Sequence, residues 1–231
     1  MIVYVLSLGI FCISLFYVGC GNKFSDNDLV KRCESGDLAS CVDYLKLYEK
    51  SDNQSQDPLF VKVLTQAAKL GNSAAMFELA VRATDPSSSP ADIKSAIYWF
   101  KKASMHGDSV ASLNLGLIYD HGIGTPSDLI QARYWYKKAA DSGNAEALFN
   151  LGVCLDEGLG GAVDKPAAIR AYRLGFERGH ARSAYNLALM MGRGEGIVQN
   201  WESALNMLKN SKRLGYQPAE KLLKKWSQLE R

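Results

Sequence analysis

The chain is short of histidine, short of any excess of one charge, and without the strings that most catalytic sites need. Its 231 residues hold 27 Lys and Arg against 24 Asp and Glu, a formal net charge of +3. That is far from the clustered basic excess that neutralises nucleic-acid phosphates, so DNA and RNA are not expected partners. The three histidines, His106, His121 and His180, are too far apart for metal-ligand spacing and are expected in exposed loops. No Gly-x-Ser-x-Gly string occurs, and no Gly-rich loop is followed by Lys-Ser or Lys-Thr, which removes the signatures of a nucleophile elbow and of a phosphate cradle. No cofactor, metal or small-molecule substrate is expected, and the chain is not expected to be an enzyme. At 47% hydrophobic and 22% charged residues, the composition is that of a folded globular chain.

Charge is absent altogether from the first 22 residues, MIVYVLSLGIFCISLFYVGCGN, and polar sequence begins abruptly at Lys23. About 20 apolar residues can cross a hydrocarbon core of about 30 Å, so an uncleaved transmembrane anchor is one reading. The other is an export signal. The run ends in Tyr17-Val18-Gly19-Cys20, which resembles the bacterial lipobox, with small residues before a cysteine that takes the lipid. Tyr17 stands where leucine is usual, and no basic residue precedes the run. The export reading makes residues 1–19 a signal peptide, Cys20 the lipidation site, 20–27 a tether, and the bacterial cell envelope the location.

From residue 28 onward the chain is organised by repetition. A glycine closing a helix-like run recurs at Gly36, Gly71, Gly107, Gly143, Gly179 and Gly215, at intervals of 35, 36, 36, 36 and 36 residues. Leu79, Leu115, Leu151 and Leu187 follow at one fixed offset, and Ala96, Ala132, Ala168 and Ala204 precede at another. Each unit reads as two helices. Helix A, such as 144–158, has apolar residues at helical spacing and ends on a glycine suited to the left-handed conformation. Helix B follows a Gly-x-Gly loop and starts at Asp128, Asp164 or Asn200, all good N-cap residues. One such hairpin cannot bury its apolar face alone, so copies must stack. The predicted fold is all-α, an α/α solenoid over 28–231, with units near 37–71, 72–107, 108–143, 144–179 and 180–215 and a capping helix over 216–228.

Cys33 and Cys41 flank the turn at Ser35-Gly36, close enough for a disulfide across an antiparallel helix pair in an oxidising compartment; two free thiols are the alternative. Cys154 sits on an apolar helix face and reads as an inert buried thiol.

The segment Ala111 to Gly124, ASLNLGLIYDHGIG, continued by 132–143, closely resembles the Sel1-like repeat. The resemblance spans about 72–215, weaker partial repeats extend it to about 28 and 227, and the early units depart at 50–58 and 84–90, where polar, proline-bearing linkers replace the Gly-x-Gly loop. It implies a TPR-like solenoid that binds a protein partner. The segment KRCESGDLASC likewise resembles the Cys-x7-Cys clasp of cysteine-rich Sel1-like proteins. By that resemblance, envelope regulation, host interaction, immunity against a type VI secretion lipase toxin, and β-lactam binding or hydrolysis are candidate roles.

The expected partner surface is the helix-A face. Asn114, Asn150 and Asn186 recur at 36 residues, and an amide can donate to and accept from a partner's backbone; a structural preference of the repeat explains them equally well. Phe149 and Tyr185 continue a ladder begun by Phe77 and Leu113, for which core packing competes with groove contact. Asp120 and Asp156 could form an acidic rim or a solvated face.

Overall fold

The computed structural model describes residues 24–48, 57–84 and 90–228, which form twelve helices and no strand. Cys20 and the apolar N-terminal run lie outside the described residues, as do the cores of the two departing linkers. No described helix is long and apolar enough to cross a membrane.

The hinge between one hairpin and the next is the anchor glycine. All six have positive φ, from 82° to 104°, a region that side chains bearing Cβ rarely enter. The amide after each glycine turns back five residues, as from Asn72 to the Ala67 carbonyl at 3.0 Å and from Asn144 to the Ala139 carbonyl at 3.1 Å. Except at Tyr216, that same residue then caps the next helix. The Asn72 side chain accepts from the Ala75 amide at 2.8 Å, Asp108 from Ala111 at 2.9 Å, and Asn144 from Ala147 at 2.9 Å. One residue therefore ends helix B and begins helix A, which fixes the angle between them. Asp128, Asp164 and Asn200 cap helix B as expected from sequence.

The chain divides into two compact units at 111/112. The first holds α1 (Asp26–Glu34), α2 (Leu38–Tyr48), α3 (Pro58–Lys69), α4 (Ser73–Arg82) and α5 (Pro90–Met105). Neighbouring helices pack in chain order, with α1 also reaching α3. Cys33 and Cys41 are bonded and wholly buried between α1 and α2, which turns the sequence expectation into a structural clasp. Phe77 of α4 meets Phe100 of α5 edge to face at 5.6 Å.

The second unit takes in most of α6 (Ser109–His121), then α7 (Leu129–Asp141), α8 (Ala145–Glu157), α9 (Lys165–Glu177), α10 (Ala181–Arg193), α11 (Trp201–Arg213) and α12 (Pro218–Ser227). Helix A of each repeat is held by helix B on both sides: α8 packs on α7 and α9, and α10 on α9 and α11. Tyr172 of α9, fully buried, sits among Phe149, Ile169, Leu187 and Met190. Each such side chain contributes about 1.5–3 kcal/mol by leaving water. The array ends on α12, whose Trp226 stacks edge to face on Trp201 at 5.0 Å beside Gly192. The capping helix read from sequence thus packs one apolar side, Ala219 and Trp226, against the last repeat.

Candidate partner-binding face

The helix-A residues singled out in sequence carry more structural duty than a bare binding ladder. Asn114 is buried, at 5% exposure. Asn186 is half-buried, with its side chain near the Tyr172 hydroxyl of the preceding helix B. Asn150 is the exception. It is half-buried, and its Nδ2 is enclosed without an acceptor.

The ladder separates in the same way. Phe149 is buried against Tyr172 and the His180 ring, with the Arg182 guanidinium 4.2 Å above its own ring centroid. Tyr185 is half-buried and meets Tyr216 edge to face at 5.2 Å. The two acids are tied to helix B: the Tyr136 hydroxyl donates to Asp120 Oδ2 at 2.9 Å, and Lys165 Nζ pairs with Asp156 while reaching Glu195 at 3.6 Å. Burial, with Asp120 alongside, raises the Tyr136 hydroxyl well above the ordinary phenol range, so it stays a donor.

His180 is not the exposed loop residue expected from sequence. It is mostly buried and occupies the cap position held by Asn72, Asp108 and Asn144 in other repeats. Its Nδ1 accepts from the Ser183 amide at 3.2 Å and lies 2.9 Å from the Ser183 hydroxyl, while Nε2 meets Glu146 Oε2 at 3.0 Å. That bond from His180 holds the Glu146 carboxyl below the usual range. The order Glu, His, Ser imitates a nucleophilic triad, but Ser183 is completely buried against Gly175 and can meet no substrate. It is a cap that links α8 to α10. Its signal in sequence was its register one residue after Gly179, not its identity.

Cys154 is buried, and burial pushes its thiol up to about 11, so the thiolate needed for reactivity is scarce at neutral pH. Among the described residues no group of three His, Cys, Asp or Glu is placed to hold a metal ion.

Once these groups are assigned to packing, another column remains. Leu117, Val153 and Leu189 recur at 36 residues on α6, α8 and α10, each only partly buried against the core. Sequence inspection could have found them by register, but their apolar type did not distinguish them from core.

The Sel1 repeat profile matches residues 73–108, 109–144, 145–180 and 181–216. No curated protein matches. Among solved structures, a Sel1 repeat protein from Oxalobacter formigenes is 26% identical over 81% of this chain and 75% of its own, with a TM-score of 0.67. The protein c5321, a protective antigen present in uropathogenic Escherichia coli strains and displaying an SLR fold, is 25% identical over 87% of this chain with a TM-score of 0.74; this chain spans 43% of it. The immunity protein Pa5087 from Pseudomonas aeruginosa aligns at 16% identity with a TM-score of 0.45, too slight a likeness to bear on function. With four consecutive repeats matched over more than half its length, the chain belongs to the Sel1 repeat family.

Proposed function

We propose that the protein is a lipid-anchored, non-enzymatic module of the bacterial envelope that holds a protein partner on its helix-A face. One observation carries the binding reading. In the second unit the register that repeats Leu117, Val153 and Leu189 leaves apolar side chains only partly covered. An apolar strip on successive helices suits a polypeptide, whose side chains fill it. Tyr185, and the amides and acids that also serve packing (Asn114, Asn186, Asp120, Asp156), would border such a contact, with Phe149 as its floor. The membership of the Sel1 family supports a protein partner, and a buried disulfide fits an oxidising compartment.

A photo-crosslinking residue at position 153 is expected to trap one discrete protein in intact cells, and the same group at exposed Arg173 is not. Equal protein capture from both positions, or none from 153, would reject the assignment of the face.

The anchor rests on the uncharged run ending in Val18-Gly19-Cys20. Cys20→Ala is expected to abolish incorporation of labelled fatty acid and leave the full-length precursor. Undiminished labelling of that variant rules out Cys20 as the acceptor and favours an uncleaved anchor.

A further inference from the structure

Basic residues recur on every helix B of the second unit. The helix-B members α7, α9 and α11 each carry three Lys or Arg against one Asp or Glu, and so does α12. Among the A helices α8 has Glu146, Asp156 and Glu157 and no basic residue, whereas α10 has Arg182 and Arg193 and no acid. The B helices are thus each cationic in a chain whose overall charge is near neutral.

The recurrence is also in register. Lys137, Arg173 and Lys209 stand at 36-residue spacing, at the same point of three successive helices B, and all are exposed. Arg170 lies one turn before Arg173 on the same side of α9. Arg170, Arg173 and Lys209 have no acidic partner among the described residues, whereas Lys137 is paired with Asp141 at 2.7 Å. Three unpaired cations in a row repel one another slightly and add nothing to stacking, since the core lies on the opposite side of each helix. Large apolar groups stand exposed among them: Tyr134 at 56% and Leu174 at 47%. Cations with interleaved tyrosine and leucine fit the headgroup zone of a bilayer, where the ammonium and guanidinium groups meet phosphates and the rings and alkyl groups enter the acyl boundary.

We infer that the outer face of the helix-B layer, centred on Arg170, Arg173 and Lys209 with Tyr134 and Leu174, docks on anionic phospholipid headgroups. This rests on the membrane-anchored reading for its geometry. The described structure begins at Phe24, four residues beyond Cys20, and four residues span at most about 14 Å, so a lipid there keeps α1 beside the bilayer and raises the local concentration of the chain at the membrane. A cationic face that reaches anionic lipid within a few screening lengths is favoured there over the acid-bearing α8. Docking that way leaves the helix-A face free for a partner.

The test uses the full chain with unilamellar vesicles of phosphatidylcholine alone or with phosphatidylglycerol added. An environment-sensitive fluorophore is attached through Leu174→Cys or, as control, Glu157→Cys, and quenched by spin-labelled lipid. Quenching at 174 is expected to exceed that at 157 several-fold in the anionic vesicles. It should fall to the phosphatidylcholine level at high salt or in the triple variant Arg170→Gln, Arg173→Gln, Lys209→Gln. Equal quenching at the two sites, quenching indifferent to lipid charge, or a triple variant that loses single-stranded nucleic-acid binding while its vesicle quenching is unchanged would overturn the inference. Flotation with pure phosphatidylcholine vesicles reads the anchor separately. If that flotation fails while anionic vesicles still carry the chain and quench at 174, the anchor reading falls and the docking face stands.

Discussion

Gly152→Val is expected to destabilise the second unit by about 3 kcal/mol, a large effect for adding three carbons. Gly152 lies in the middle of α8, where glycine ordinarily costs a helix about 1 kcal/mol relative to alanine. Propensity alone therefore predicts a gain from substitution. Tertiary packing reverses the sign, because a Cβ at 152 would stand well within van der Waals contact of Cε1 of the fully buried Tyr172 ring. Overpacking of that kind costs about 1–3 kcal/mol, and valine adds a second branch against the same ring. Tyr172→Ala should cost about 3–5 kcal/mol by opening a cavity. In the double variant the new methyls occupy part of that cavity, so the combined loss should fall below the sum of the two by about 1–3 kcal/mol. Urea unfolding followed by tryptophan fluorescence measures the cycle. Strict additivity would mean that Gly152 and Tyr172 do not share the close contact. The same experiment can be repeated one unit earlier at Gly116 and Tyr136, whose geometry is equivalent.

The second large effect belongs to the clasp. Replacing Cys33 and Cys41 by serine should remove about 2–3 kcal/mol from the first helix pair, the value that loop closure over nine residues implies. The helices concerned are short, nine residues for α1 and eleven for α2, below the length at which isolated helices hold in water. Without the bond, α1 depends on Leu29 and Val30 for its burial. Hydrogen exchange of α1 and α2 amides should accelerate by about 30- to 150-fold if they open as a local unit. Amides of α9 should not change. The wild type treated with reductant under mild denaturant should reproduce the pattern; a disulfide-free variant with unchanged α1 protection would show that packing alone holds the pair.

Both expectations illustrate what could be read early. The glycine period was legible because the hinge needs positive φ, and only glycine enters that region without strain, so the same residue had to return at every turn. The N-caps at Asp128, Asp164 and Asn200 were legible for a similar reason, since their side chains satisfy local amides. The partner face was far less legible. Asn114 and Asp120 look alike in sequence as polar helix-A residues, yet Asn114 is buried and Asp120 accepts from the buried Tyr136 of the next helix. His180 was misread for the converse reason: a residue that is usually exposed became a cap because its register demanded an acceptor and Glu146 stood ready on α8. The cationic layer was hidden by the chain's near balance of charge, and became visible once residues were assigned to helices that alternate in the stack.

By itself the sequence determined the helical hairpin, its length, its hinges and its caps, because those depend on backbone conformation and on hydrogen bonds within a few residues. It also determined that hairpins must stack, because no single one can bury its apolar side. Only the tertiary structure decided which asparagines, acids and aromatics are consumed by packing and which stay available. That choice depends on distances between residues about 16–36 positions apart, where one extra ring or one buried hydroxyl settles which polar group is satisfied within the fold and which remains for another molecule.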